Sequence, residues 1–176
     1  HVMRDTPPDL VLSGINRGGN LGLETVFSGT VGAAMTGMLL GIRSIALSQV
    51  FKDRNAVKWG TSRALAGDVI RRLVTAGWSD DACLNVNFPD VEADAAGPLT
   101  VSRQGVGLIN AIDVRAHVDP RGFPYHWLQF SRGPRPDVDD AEAMVVARGA
   151  VSVTPLRFER TSEEAAVALA DNLMRA

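Results

Sequence analysis

The chain reads as an α/β protein built on a doubly wound, mostly parallel sheet, and three observations predict it. Short apolar runs alternate with stretches of helical spacing over about the first ninety residues. A glycine-rich loop joins the first of those runs to the first helix. The 176 residues, 45% hydrophobic and 22% charged, suffice to bury one core of an ordinary globular domain. Crossovers between parallel strands are right-handed, so such a sheet carries helices on both faces and takes ligands beyond the carboxyl ends of its strands.

The first strand is Leu10-Val11-Leu12, ending at Ser13, wholly apolar and expected to be buried. A Ser13 to Asn16 loop follows. Val31 to Leu40 is a charge-free helix of small residues, opened by Ser28-Gly29-Thr30 and also expected to be buried. Ile42 to Ser48 is a second strand. Ala56 to Ala76 places Val57, Leu65, Val69, Ile70, Leu73 and Val74 at roughly helical spacing and ends at Gly77 as a C-cap. Ala82 to Val86 is the third strand, and Asp90 to Gly97 a polar connector.

Beyond the connector the organisation changes. Leu99 to Arg103 and Tyr125 to Ser131 read as strands, and Asp119-Pro120-Arg121-Gly122 between them is turn chemistry, with proline presetting one φ and glycine tolerating the other. Ala141 to Ala147 is a short helix, Val151 to Thr154 a strand closed by Pro155, and Thr161 or Ser162 caps a final alanine-rich helix through Met174. The expected division is a core over 1–98 and a hairpin-rich region over 99–176 with a returning strand and a terminal helix.

Composition excludes several function classes. A net charge of −2 gives no basic footprint for a nucleic-acid polymer. No window holds the eighteen or so apolar residues of a membrane span, and the start shows no leader pattern; a cytoplasmic protein is expected, with His1-Val2 a possible remnant ahead of the native sequence. The lone cysteine, Cys83, lies in the apolar run ACLNVNF and reads as a buried reduced thiol.

Strand, glycine-rich loop and helix start together make an anion site, because unpaired backbone N–H groups and the positive end of the helix dipole converge there. A phosphate is the expected ligand. Asn16 offers a neutral hard oxygen suited to Mg²⁺, Mn²⁺ or Ca²⁺ rather than to zinc, yet an asparagine before Arg-Gly-Gly is also an ordinary turn former. Ser28 or Thr30 can be a plain N-cap, or two hydroxyls bracketing Gly29 can admit an anion. Gly14, Gly18, Gly19, Gly22, Gly29 and Gly32 cost conformational entropy unless the backbone must adopt unusual angles or approach something closely. Neither the P-loop pattern nor G-x-G-x-x-G is present, which disfavours a P-loop NTPase and a nicotinamide-dependent oxidoreductase.

Other chemistry-bearing residues read more plainly. Arg17 is a loop arginine and Asp9 a turn or solvated acid. His117 and His126 flank the hairpin turn with no metal-ligand spacing and are surface or interface residues. Tyr125, Trp127 and Phe130 could stack a base, but strand aromatics are more often oligomer contact or core. Asp137 to Glu142 lacks the glycine and terminal glutamate of an EF-hand and reads as a solvated acidic turn.

Five blocks in order, SGINRGGNLG, FSGTVGAAMTG, LNVNFP, VDPRGFPYHW and GAVSVTPL, resemble the SurE family of survival-protein 5'-nucleotidases. These phosphatases dephosphorylate nucleoside monophosphates with a divalent metal. The resemblance implies a Rossmann-like core, a protruding hairpin near Asp113 to Ser131, and a C-terminal helix exchanged between subunits of a homodimer or tetramer. It implies that Asn16 is a metal ligand for Mg or Mn and that Ser28, Gly29 and Thr30 line the phosphate pocket. The expected substrate is a nucleoside monophosphate, extending to 3'-nucleotides and short polyphosphate.

Two departures from the family pattern matter. The acidic pair that carries the metal in the family would precede His1, so the catalytic acids are unknown here, and Asp5, Asp9 and Glu24 do not match them. Ala141-Glu142 stands where the family tends to carry Thr-Asp, which leaves that position's role open. Two further readings compete with the phosphatase: a phosphate- or nucleotide-binding module without catalysis, and an oligomerisation scaffold built on the hairpin and terminal helix.

Overall fold

The computed structural model describes residues 3, 5–133 and 137–175. His1 and Val2, and Pro136 at the head of the acidic turn, lie outside the described residues. In chain order the elements are β1 (Leu10–Arg17), a 3-10 turn (Gly22–Phe27), α1 (Gly29–Leu39), β2 (Arg43–Gln49), α2 (Trp59–Ala76), β3 (Cys83–Phe88), a short 3-10 turn (Ala93–Ala95), β4 (Gly97–Val101), β5 (Ile109–Val118), β6 (Pro124–Arg132), α3 (Glu142–Ala147), β7 (Ala150–Leu156) and α4 (Glu163–Arg175). One sheet runs in the order β1-β2-β3-β7-β4, and β5-β6 is a separate two-stranded ribbon. Only the β3–β7 pairing of the large sheet is antiparallel.

Alternation along the central strands sends successive side chains to opposite faces. Ile45 and Leu47 of β2 and Leu84, Val86 and Phe88 of β3 form one core with Val151 and Val153 of β7, and Val69, Leu65 and Leu73 of α2 pack on it. Ala46, Cys83 and Leu156 point the other way, to Val31, Ala34 and Met35 of α1. Helices therefore cover both faces, as the doubly wound reading expects. On the α1 side the β3 strand also carries Asn85 and Asn87, both fully buried.

Several boundaries differ from the expectation, each for a local reason. The predicted Ser13 to Asn16 loop is strand: β1 pairs with β2 on both sides of a register shift between Ser13 and Asn16, which lets the ladder pass Gly14 and resume at Asn16 opposite Ser48. Gly14 has φ +130, and a Cβ there would run into the Leu47 carbonyl. Leu12 is exposed, because β1 is an edge among the described strands. One side of α1 is also open, with Leu39 and Leu40 exposed, since a single stripe of the helix suffices to cover the sheet. The α2 helix starts at Trp59 rather than Ala56, and Gly77 ends it at φ +69 as expected.

The β7 strand does not stop at Pro155 but continues to Leu156. Pairing with β4 ends at Val153, so Pro155 has a strand neighbour on one side only, a setting in which its missing N–H is tolerated. The β5–β6 hairpin turns at Asp119 to Gly122: the Asp119 carboxylate accepts from the N–H groups of Arg121 and Phe123, and Gly122 sits at φ +88. Those bonds, Phe123 first, hold the Asp119 carboxyl below its usual range. Ser162 is the residue that caps α4, accepting from the Ala165 N–H at 3.3 Å.

Candidate functional site

A cavity of about 610 Å³ opens beyond the carboxyl end of β1, where a doubly wound sheet presents ligands. Asn16, Gly18 and Ser28 all line it, so the end of β1, the glycine-rich loop and the mouth of α1 share one concave surface. Gly29 and Thr30, the other two predicted phosphate contacts, form the first turn of α1 but are not among the lining residues.

Both ordinary roles weighed for these residues are present. The Asn16 Nδ2 donates to the Gly18 carbonyl at 2.9 Å, an Asx-type contact that holds the turn and directs the amide oxygen away from it. The Ser28 Oγ accepts from the Val31 N–H at 3.0 Å, and the Ser28 carbonyl accepts from Gly32 at 2.9 Å. Those bonds leave the N–H groups of Gly29 and Thr30 ahead of the helical ladder, at the positive end of the dipole. A structural bond and a ligand role are compatible here, because these bonds take the Asn16 Nδ2 and an acceptor lone pair of the Ser28 Oγ, leaving the Asn16 Oδ1 and the Ser28 O–H.

The loop between Asn16 and Ser28 is held by residues to which the sequence reading gave no role. Asn20 is buried; its N–H donates to the Asn87 Oδ1 at 2.9 Å and its Nδ2 to the Ser48 Oγ at 2.7 Å. Its carbonyl accepts from the Nδ2 atoms of Asn85 at 2.8 Å and Asn87 at 3.1 Å. The signal lay in LNVNF, where asparagines alternate with Leu84, Val86 and Phe88: a polar alternation facing a glycine-rich loop can be a buried clamp instead of a wet face.

Glu142, expected in a solvated acidic turn, is instead a second buried anchor of the loop. Fully buried, it accepts from the Gly22 N–H at 2.6 Å through one oxygen and from the Gly105 N–H at 2.8 Å through the other. Burial pushes its carboxyl above the ordinary glutamate value, against the pull of those N–H groups. The expected solvated acidic turn is therefore partly wrong: Asp139 and Asp140 are exposed, whereas Glu142 and Asp137 fix backbone amides, Asp137 that of Val106 at 2.9 Å. Gly22 permits this packing, since a Cβ there would overlap Gly107.

The far wall of the cavity comes from the 3-10 turn and the base of the hairpin. Phe27 and Phe130 pack with ring centroids 5.1 Å apart, and Arg132 pairs with Glu24 at 3.2 Å. Phe130 thus separates from Tyr125 and Trp127, which lie on the other face of the ribbon with His117. His117 and His126 are exposed and do not line the cavity. Asp9 is exposed ahead of β1. Arg17, read as a solvated loop arginine, does line the cavity, with Lys52 and Arg54. Among the described residues no group of three or more His, Cys, Asp or Glu side chains could hold a metal. Asn16 alone supplies a single neutral oxygen, so the residues present are at most part of a metal site. Among those residues, too, no helix is long and apolar enough to cross a membrane. Cys83 is a free, buried thiol whose pKa burial raises to about 11.

The sequence profile of the family described as Survival protein SurE matches residues 1–110. The chain is 57% identical over 173 residues to 5'-nucleotidase SurE 1 of Burkholderia lata, covering 98% of this chain and 67% of that protein. It is 48% identical over 164 residues to 5'-nucleotidase SurE of Paramagnetospirillum magneticum, covering 93% of this chain and 63% of that one. The crystal structure of SurE protein from Aquifex aeolicus superposes with a TM-score of 0.73 at 34% identity, over 93% of this chain and 64% of that chain. The chain spans about two thirds of the length of these relatives, and it belongs to the SurE family.

Proposed function

We propose that this chain carries the phosphate-binding part of a metal-dependent phosphomonoesterase acting on nucleoside monophosphates, a 5'-nucleotidase. The observation that supports it is the meeting of Asn16 and Ser28 on one cavity at the carboxyl edge of the sheet. Relatives named 5'-nucleotidase at up to 57% identity point the same way.

The phosphate sits at the mouth of α1, where the N–H groups of Gly29 and Thr30 and the hydroxyls of Ser28 and Thr30 meet its oxygens. Fixed dipoles aimed at the developing charge stabilise the transition state without reorganising. The amide oxygen of Asn16 offers one ligand to a Mg- or Mn-class ion, which when bound supplies charge neutralisation and an activated water. Asn20, clamped by Asn85 and Asn87, keeps the loop in register with the helix mouth. Activity in the protein should vanish with excess chelator and return with Mg²⁺ or Mn²⁺; turnover that persists in chelator removes this reading.

A second reading is a binding module without catalysis, in which the same cavity holds the nucleotide and does not turn it over. Nucleotide binding without turnover, under metal concentrations that saturate the relatives, separates it from the first. The partner is a second copy of the chain, as dimer or tetramer. One face of the hairpin presents exposed Ile112, Val114, Val118 and Leu128, and α4 buries no residue.

A further inference from the structure

We propose that Phe27 and Phe130, braced by the Glu24–Arg132 ion pair, form the wall that binds the base of a nucleotide whose phosphate lies at the mouth of α1. The inference deepens the nucleotidase reading and rests on it.

The two rings come from elements distant in sequence, one from the 3-10 turn and one from β6, yet meet at 5.1 Å with planes tilted by 49°. Both line the cavity that Asn16 and Ser28 share. Phe27 directly precedes the α1 cap and remains 58% exposed, so its ring is only partly covered by Phe130. An exposed aromatic face beside an anion site is unfavourable in water and suits a ligand that is anionic at one end and flat and apolar at the other.

The bracing sets the wall's position. The Glu24 side chain is 10% exposed; its Oε2 accepts from the Nε and Nη2 of Arg132, both at 3.2 Å, and its Oε1 from the Leu108 N–H at 3.2 Å. Gln104 donates from Nε2 to the Gly22 carbonyl at 2.9 Å and to the Thr25 Oγ1 at 2.8 Å. The 3-10 turn is therefore tied both to the hairpin base, through Arg132, and to the β4–β5 connection, through Gln104 and Leu108. Arg132 lines the cavity with its side chain 55% exposed and keeps N–H donors beyond the two given to Glu24. Those donors suit a heterocycle with carbonyl or ring-nitrogen acceptors along one edge, which a nucleobase has and an alkyl or simple phenyl group lacks.

The test compares equilibrium binding of a nucleoside 5'-monophosphate with that of ribose 5-phosphate, by calorimetry, in the unaltered protein and in Phe130→Leu and Phe130→Tyr. The unaltered protein should hold the nucleotide at least about tenfold more tightly than the baseless sugar phosphate. Phe130→Leu, which keeps volume but removes the ring, should weaken the nucleotide about tenfold and leave ribose 5-phosphate unchanged, and Phe130→Tyr should restore the difference. Equal affinity of the unaltered protein for both ligands, or a parallel loss of both in Phe130→Leu, overturns the wall and leaves the phosphate site standing. Binding of neither ligand by the unaltered protein removes the phosphate reading and the wall together.

Discussion

Ser28 caps α1 and is also one of the residues proposed to meet the phosphate. Its hydroxyl caps α1, and a lost cap is worth about 1 kcal/mol. Aspartate caps a helix as well as serine does, but it sets a negative charge where the phosphate is proposed to sit. Ser28→Asp should therefore leave the unfolding midpoint in urea near that of the unaltered protein while weakening inorganic phosphate binding more than tenfold; retained phosphate affinity would confine Ser28 to the capping role. That Asn16 and Ser28 lie on one concave surface was legible, because strand, glycine-rich loop and helix start place them at the same edge of the sheet. Glu142 was not: its value comes from meeting Gly22 across 120 positions of chain, a separation that no local pattern encodes. The Phe27–Phe130 pairing was hidden for the same reason, since neither sequence neighbourhood names the other, although Phe130 by itself reads as an aromatic able to stack a base.

At the scale of elements, the polar clamp and the buried carboxylate decide how firmly the cavity wall is held. Replacing Glu142 by Gln leaves an amide group facing a backbone N–H and should cost of order 1–3 kcal/mol. The pH profile gives the sign. The Glu142 carboxyl lies above its unfolded value near 4.5, so the folded state holds the proton more tightly. Its contribution is full below the unfolded value and is lost as pH rises through the raised folded value. The stability difference between the unaltered protein and Glu142→Gln, measured by urea titration, should shrink across that window; a difference that grows with pH would contradict the burial argument. Element types were largely readable, since Ile45 and Leu47 against Ala46 announce a two-faced strand and Gly77 a helix end. Boundaries failed where tertiary pairing extended a ladder past its local signal, through Gly14 in β1 and Pro155 in β7.

For the whole molecule, apolar surface is distributed unevenly. The sheet is covered on both faces, yet Val167, Leu169, Leu173 and Met174 of α4 stand exposed together with the apolar face of the hairpin. A helix with no buried residue gains little from its own chain, since most helical stability comes from packing an amphipathic face. Truncation at Glu159 should reduce the mass in solution measured by light scattering from that of a dimer or larger to that of a monomer. An unchanged mass would remove α4 from the assembly.

The Gly22–Glu142 bond also bears on the order in which the molecule assembles. Closing so long a loop is entropically costly and comes late compared with local helix and ladder formation. A ribosome releases the glycine-rich segment 120 positions before the acid that anchors it, so the segment emerges without its brace. The Gly22 turn is thus expected to gain its carboxylate anchor only when α3 has emerged and docked.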